Sequence, residues 1–444
     1  MTKIGFVSLG CSKNLVDTER MLHTLVSAGY EITPDETEAD IVIVNTCGFI
    51  GDAKQESIDN ILDIAWLKKN RSLRGIIATG CMVERYKDAV MEQLPEVDAV
   101  IGVGSLEHIT DAVRAVERGE KYSHFGDRDT SPLGGDRILT TPEHMAYMKI
   151  AEGCDNRCTY CAIPMIRGRF RSRPIEELVE EARGLEELGV KELCLIAQDT
   201  TRYGLDLYGE YRLAALVRAL IENTSIPWIR LLYCYPDKIT DELIAELRDN
   251  PRLVKYMDIP IQHISDRVLG AMNRHGDSAT IRSAIARLRE SVPGITLRTT
   301  VIVGFPGETE EEFSELCEFV KEARFDRFGA FCYSPEEDTP AAEMDGQLDE
   351  QEKQDRYDTV MATQLPIAEE KNGKKIGKRI TVLCEGYDPV AEAHYGRSEA
   401  DAPDVDGKIY FFAPHRLEVG EFYTVKIEEA VDYDLVGRAI LKKK

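Results

Sequence analysis

From Lys3 to about Arg118 the chain alternates between two hydrophobic periods. Short apolar runs, "KIGFVSLG", "DIVIVNT", "RGIIATG" and "AVIGVGS", each precede a stretch with apolar residues at helical spacing, such as Leu15, Leu22, Leu25 and Val26. The runs predict buried strands, and the stretches predict helices from about Asn14, Asp52, Glu84 and Glu107. This alternation predicts a parallel sheet covered by helices over residues 1–118. Residues 119–139, which contain "GDRDTSPLGGDR", predict a linker. Residues 140–370 hold six further strand candidates: "MAYMKIAEG", "ELCLIAQ", "IRLLYCY", "YMDIPIQ", "TLRTTVIVGF" and "RFGAFCYS". Helical patterns lie between them, for example Pro174–Leu188 and Glu308–Ala323. Pro174 suits a first helical position, and the acidic "ETEEEF" suits a first turn. Six such repeats predict a partial (β/α) TIM-like barrel, with an open doubly wound sheet as the alternative.

A charged helical stretch, "DEQEKQDRYDTVMATQL", and a basic joint, "KNGKKIGK", end that segment. The period then changes to two. "KRITVLCEGYD", "GKIYFFA" and "EFYTVKIEEAV" predict a small antiparallel β-barrel of the oligonucleotide-binding (OB) type over residues 373–444. The fold class is therefore α/β, with a small C-terminal β-barrel. The terminal "KKK" reads as a solvated tail.

Composition narrows the function. The 444 residues are 43% hydrophobic and 30% charged, as in an ordinary soluble globular protein of two to four domains. The start, "MTKIGFVSLG", lacks the basic segment and long apolar stretch of a signal peptide, and no apolar run is long enough to span a bilayer. A cytosolic protein with no membrane partner is expected. The formal charge of −24 opposes binding to a phosphate backbone and favours a basic partner, although solubility alone also explains it. No Walker A loop is present, and "GVGSLE" does not complete a dinucleotide fingerprint.

The 11 cysteines are an odd number and make a poor disulfide framework. Three fall within "EGCDNRCTYC" as Cys154, Cys158 and Cys161, just after the first strand of the expected barrel, where barrel sites form. Soft thiolates suit zinc or an iron–sulfur cluster. Three ligands on a four-iron cluster leave one iron open to the amino and carboxylate groups of a small molecule such as S-adenosylmethionine. A zinc site would need a fourth ligand from elsewhere, and Cys158 with Cys161 also matches a thioredoxin-type pair. Tyr160 is an aromatic placed to pack beside an adenine. Cys11, Cys47 and Cys81 each follow a predicted strand, so a parallel sheet gathers them at its carboxyl edge, where ligands bind. Gly10 and Gly80 permit close approach there. Three buried cysteines are the bland alternative, which the repeated placement disfavours. Cys194, Cys234, Cys317, Cys332 and Cys384 read as packing residues.

Weaker candidates are Gln262 and His263 in "IPIQHIS", which face either a ribose or solvent, and Gly304 in "VGFPGE", a strand-to-helix turn able to hold a polar cofactor end. The basic "IRGRFRSRP" could meet a ligand carboxylate or be a solvated loop.

"SLGCSKNLVDTE", "NTCGFI", "TGC" and "EGCDNRCTYCAIPMIRGRFRSR" resemble the methylthiotransferase family of radical S-adenosylmethionine enzymes, over essentially the whole chain. The resemblance is to the branch that modifies an aspartate of small-subunit ribosomal protein uS12. The tRNA branch usually has "YGCQMN" and "PYTRG" where this chain has "LGCSKN" and "PMIRG". The resemblance implies an N-terminal methylthiotransferase domain, a radical core and a C-terminal TRAM domain. It implies two 4Fe–4S clusters, one on Cys154, Cys158 and Cys161 and an auxiliary one on Cys11, Cys47 and Cys81. S-adenosylmethionine would be both the source of a 5′-deoxyadenosyl radical, which takes hydrogen from the aspartate β-carbon, and the methyl donor. Sulfur would be delivered from the auxiliary cluster. The resemblance does not settle the other cofactor contacts, for which Tyr160, Gln262 and Gly304 are the candidates, and an electron donor such as flavodoxin or ferredoxin is expected. Between Ile380 and Arg438, 13 acids stand against 5 bases, which predicts a TRAM surface that attracts a basic ribosomal protein and repels tRNA. The rival functions are a tRNA adenosine methylthiotransferase and a non-catalytic iron–sulfur carrier.

Overall fold

The computed structural model describes residues 2–441, so the terminal lysines, 442–444, lie outside it. Strands β1 (Lys3–Ser8), β2 (Glu31–Thr33), β3 (Ile41–Thr46), β4 (Gly75–Gly80), β5 (Ala99–Ile101) and β6 (Tyr122–His124) form one parallel sheet in the order β2-β1-β3-β4-β5-β6. The apolar runs are continuous because both faces are covered. Ile41 and Ile43 enter one core with Met21, Leu25 and Val113, while Val42 and Val44 enter the other with Ile61 and Ile64.

The expected linker begins with a strand. Tyr122–His124 pairs with β5 and extends the first sheet, and further on Ile138 N–H donates to the Glu19 carbonyl at 3.1 Å. "YSH" has no apolar alternation, so only its tertiary pairing marks it as a strand. The edge strand β2 escaped the pattern for the same reason.

In the second segment, β7 (Met145–Lys149) leads into a short antiparallel pair, β8 (Ala151–Glu152) with β9 (Arg171–Ser172). Strands β10 (Glu192–Ile196), β11 (Trp228–Leu231), β12 (Leu253–Asp258), β13 (Thr296–Val303) and β14 (Arg327–Cys332) then follow β7 in chain order in a parallel sheet that stays open between β7 and β14. The helices between them cover one face, including Ile175–Glu187 and Glu310–Ala323, the latter started by a Thr309–Glu312 capping box.

The C-terminal strands β15 (Arg379–Asp388), β16 (Ala393–Arg397), β17 (Ile409–Phe412), β18 (Phe422–Val431) and β19 (Asp434–Ala439) close into a barrel in the order β15-β16-β17-β19-β18. It is not wholly antiparallel, because β17 and β19 pair in parallel to close it.

The loop between β16 and β17 fills the inner face of the open sheet. Ala402 packs with Tyr147, Cys194 and Tyr256. Tyr147 donates to Asp404 at 2.7 Å, Tyr256 to Asp406 at 2.6 Å, and Arg327 pairs with Asp401. Arg230 donates to the Glu399 carbonyl at 2.9 Å. Beneath the loop, buried Glu192 accepts from Arg230 at 2.7 Å and from Arg397 at 2.6 Å. Burial alone would raise the Glu192 carboxyl, but the two guanidinium groups bring it down to about 2.

This carboxylate stabilises the fold above its ordinary pKa of about 4.3, and that contribution is lost as pH falls through about 2. Glu192→Gln leaves two buried guanidinium groups short of a counter-charge and should destabilise the protein by about 3–5 kcal/mol at pH 7. Its deficit against the parent should shrink below about pH 4. Denaturant melts across that pH range check both.

Candidate active site

Cys11, Cys47 and Cys81 follow β1, β3 and β4, three neighbouring strands, at one edge of the sheet. Asn14 and Asn45 tie these strand ends together. Asn14 Nδ2 donates to the Leu9 carbonyl at 2.7 Å and the Thr46 carbonyl at 3.2 Å, and Asn45 Nδ2 donates to the Asn14 carbonyl at 2.8 Å. Ser57 fixes Cys47 by accepting from its N–H at 2.9 Å and donating to its carbonyl at 3.0 Å. Gly10, at φ +87°, lies so near Cys47 that a Cβ there would stand 3.0 Å from Sγ. Gly80, at φ +94°, would drive a Cβ into the Thr46 backbone. Cys47 and Cys81 are buried and Cys11 is exposed. Burial pushes the Cys47 thiol up and the Cys81 thiol up to about 12, against the opposing pull of Arg167 on both.

The second trio lies in the loop after β8. Asn273 Nδ2 donates to the Arg157 carbonyl at 2.9 Å, and Thr159 donates through N to Met272 O at 3.0 Å and through Oγ1 to Ala271 O at 2.8 Å. Asn156 and Lys238 share the buried carboxylate of Asp199 at 2.8 and 2.9 Å. Arg274 stacks 4.1 Å from the Tyr235 ring centroid, and its Nη1 and the Tyr235 hydroxyl each stand 3.9 Å from Cys158 Sγ. Burial pushes the Cys154 thiol up to about 11 and the Cys161 thiol higher still, with the neighbouring cysteines adding to both.

A buried cluster of charges joins the two trios. Lys149 pairs with Asp17 at 2.5 Å and with Glu152 at 2.7 Å. Arg167 pairs with the same two carboxylates at 2.5 and 3.2 Å, donates to Asn14 Oδ1 at 3.0 Å and reaches Cys81 Sγ at 3.2 Å. Burial would raise the Glu152 carboxyl, but Lys149 and then Arg167 hold it well below the usual range. Buried Lys13, two residues after Cys11, sits 3.3 Å over the Tyr233 ring.

The other candidates divide. Tyr160 packs on a cluster that holds Val268, Met272, Phe305 and Tyr333. Gln262 has a positive φ of 70° and a buried Oε1 without a hydrogen-bond partner among the described residues. Gly304 is pressed against the Lys353 side chain of helix Glu350–Gly373. His263 does not face solvent: it is buried, accepts from Ser265 N–H at 3.0 Å, and burial lowers its pKa to about 4. The arginines of "IRGRFRSRP" divide: Arg167 and Arg173 are buried against carboxylates, Arg171 is half-buried, and Arg169 is exposed. Cys194, Cys234, Cys317 and Cys384 are buried, and Cys332 is half-buried. Sequence reasoning passed over Lys13, Asp17, Lys149, Tyr235 and Arg274. Lys13 and Asp17 sit inside the quoted "SKNLVDTE", but nothing in the sequence points to Arg274.

Among the described residues, no three Cys, His, Asp or Glu side chains close on a single metal ion. A four-iron cluster takes one thiolate per iron and so holds its ligands further apart than a mononuclear site does. Two thiol-only donor sets, each with a buried arginine at one sulfur, fit such an anionic group.

Sequence profiles agree with this division of labour. The radical SAM superfamily matches residues 148–320, uncharacterized protein family UPF0004 residues 3–102, and the TRAM domain residues 376–440. The ribosomal protein uS12 methylthiotransferase RimO of Caldicellulosiruptor saccharolyticus is 49% identical over 443 residues, spanning 99% of this chain and 100% of the relative. RimO of Pelotomaculum thermopropionicum is 50% identical over 441 residues, spanning 99% of each chain. Among solved structures, the radical S-adenosylmethionine methyltransferase TsrM of Kitasatospora setae superposes with a TM-score of 0.56 at 14% identity, covering 87% of this chain and 79% of that one, which shows a shared fold. With identity near one half along almost its entire length, the chain belongs to the family of radical SAM ribosomal protein uS12 methylthiotransferases.

Proposed function

We infer that this chain transfers a methylthio group to the β-carbon of an aspartate in uS12. The observation that carries this is the near-half identity to uS12 methylthiotransferases over 99% of the chain. The cofactors are 4Fe–4S clusters and S-adenosylmethionine. When bound, they supply the carbon radical, the methyl group and the sulfur. Cys154, Cys158 and Cys161 would hold one cluster and leave an iron for S-adenosylmethionine, with Tyr160, Gln262 and Gly304 along its path. Cys11, Cys47 and Cys81 would hold the other. Residues 1–118, extended by β6, together with 140–370 and 373–444, would be the units that carry these roles.

The protein's own side chains set the surroundings. Arg274 and Tyr235 cover Cys158 and shield it from water. Cys11 is the one exposed member of its trio, so the target aspartate would approach on its side. Eleven free cysteines and a ribosomal substrate support a reducing, cytoplasmic location, and no helix of the described residues is long and apolar enough to cross a membrane. A small redox protein such as flavodoxin or ferredoxin would supply electrons.

The acidic TRAM surface is smaller than its sequence count. Asp401, Asp406 and Glu385 face tyrosine or arginine partners at the seam with the core, and Asp404 accepts from Tyr147 there while staying exposed. Glu392, Glu399, Glu418, Glu421, Glu428, Glu429 and Asp432 remain exposed, against Lys408, Arg416, Lys426 and Arg438. That excess still supports steering of a basic protein.

Anaerobically reconstituted enzyme should add SCH₃ to an aspartate of a uS12 peptide, read by mass spectrometry; addition to tRNA instead would overturn the assignment. Cys11→Ala, Cys47→Ala and Cys81→Ala should each lose one cluster's share of iron and sulfide while 5′-deoxyadenosine still forms, and undiminished iron would show that these cysteines only pack. Glu418→Lys with Glu429→Lys and Asp432→Lys should weaken uS12 binding several-fold at low salt and less at high salt. Unchanged binding would remove the steering role.

A further inference from the structure

Arg167 stands where the two cysteine sites meet. It lies six residues after Cys161, and its guanidinium is buried, with 3% of the side chain exposed. One nitrogen, Nη2, donates to Cys81 Sγ at 3.2 Å and to Asn14 Oδ1 at 3.0 Å. The other, Nη1, is held by Asp17 at 2.5 Å and Glu152 at 3.2 Å. Asp17 lies on the helix Ser12–Ser27 that starts directly after Cys11, and Glu152 lies two residues before Cys154. The arginine is thus anchored from both sites and aimed at a sulfur of one.

Two anchoring carboxylates and Lys149 would make a neutral set with Arg167 wherever it pointed, so holding the domains together does not require contact with a thiol. The contact has an electronic consequence. A guanidinium keeps its charge at any pH the protein meets, and a hydrogen bond to a ligating sulfur draws electron density from it. Both effects favour the reduced state of a cluster, and hydrogen bonds to sulfur are among the features that set cluster potentials.

We propose that Arg167 is a positioning residue that raises the reduction potential of the cluster held by Cys11, Cys47 and Cys81. Its other nitrogen, Nη1, pairs with one carboxylate from each side of the seam, Asp17 and Glu152. The effect on potential rests on the assignment of those three cysteines as cluster ligands.

The test uses the full chain with Cys154→Ala, Cys158→Ala and Cys161→Ala, which leaves the N-terminal trio as the remaining site. After anaerobic reconstitution, iron and sulfide are counted and the midpoint potential is read by redox titration followed by electron paramagnetic resonance. Arg167→Met should keep its iron and titrate at a more negative potential, with Arg167→Lys in between. Asp17→Asn, which removes an anchor and a negative charge but keeps the donor, should not move the potential downward. An unchanged potential in Arg167→Met, an equal fall in Asp17→Asn, or equal loss of iron from the Met, Lys and Asn variants would each overturn the proposal and leave Arg167 as domain contact alone. Loss of iron confined to Arg167→Met, with the Lys variant loaded, would support it. Absence of iron from the parent would overturn the three-cysteine assignment itself, and the proposal with it.

Discussion

Four charges withdrawn from water at one seam hold this molecule's chemistry in register. Asp17 comes from the N-terminal unit, Lys149 and Glu152 from the first strands of the core, and Arg167 from the helix after the second cysteine trio. Each is all but fully buried, and a buried charge without its partner costs several kcal/mol. None can therefore leave without stranding the others. The two thiol sets, which the sequence separates by more than a domain boundary, inherit a fixed relation from this constraint. A second contact, Arg85 with Glu336 at 2.7 Å, ties the N-terminal unit to the segment after β14, so it is gripped at both ends of the open sheet.

How much of this could be read from the chain depended on whether the cause was local. Strands β1, β3, β4 and β5 and all six long core strands announce themselves because burial on two faces demands unbroken apolar runs. Strands β2, β6, β16 and β19 do not, because their identity lies in the neighbour that pairs with them. The parallel closure of β17 on β19 is likewise a property of the closed barrel, which three alternating runs suggested only as an antiparallel one.

The cysteines were legible for a similar reason. A thiol just past a parallel strand has its place fixed by the strand, so the edge on which Cys11, Cys47 and Cys81 gather follows from counting strands. Arginine has no such tether. Arg167 sat in a basic run that offered a ligand carboxylate or solvent as partners, and the structure gives it Asp17 and a sulfur instead. His263 shows a related limit: a histidine at a strand end reads as open to solvent, yet the fold buries it and burial lowers its pKa. The acidic count of the C-terminal barrel misled in part because sequence cannot tell a carboxylate that faces water from one that faces Arg327.

The loop from Ser398 to Asp406 has a consequence for how the protein is made. Arg327 belongs to the core, but its carboxylate partner Asp401 is translated after every core strand. Arg230 and Arg298 already face Glu192 and Asp258 within the core, whereas Arg327 has no carboxylate opposite it on the inner face of the sheet until that loop arrives. A product truncated before Asp401 would therefore strand the Arg327 guanidinium on the inner face of the core sheet.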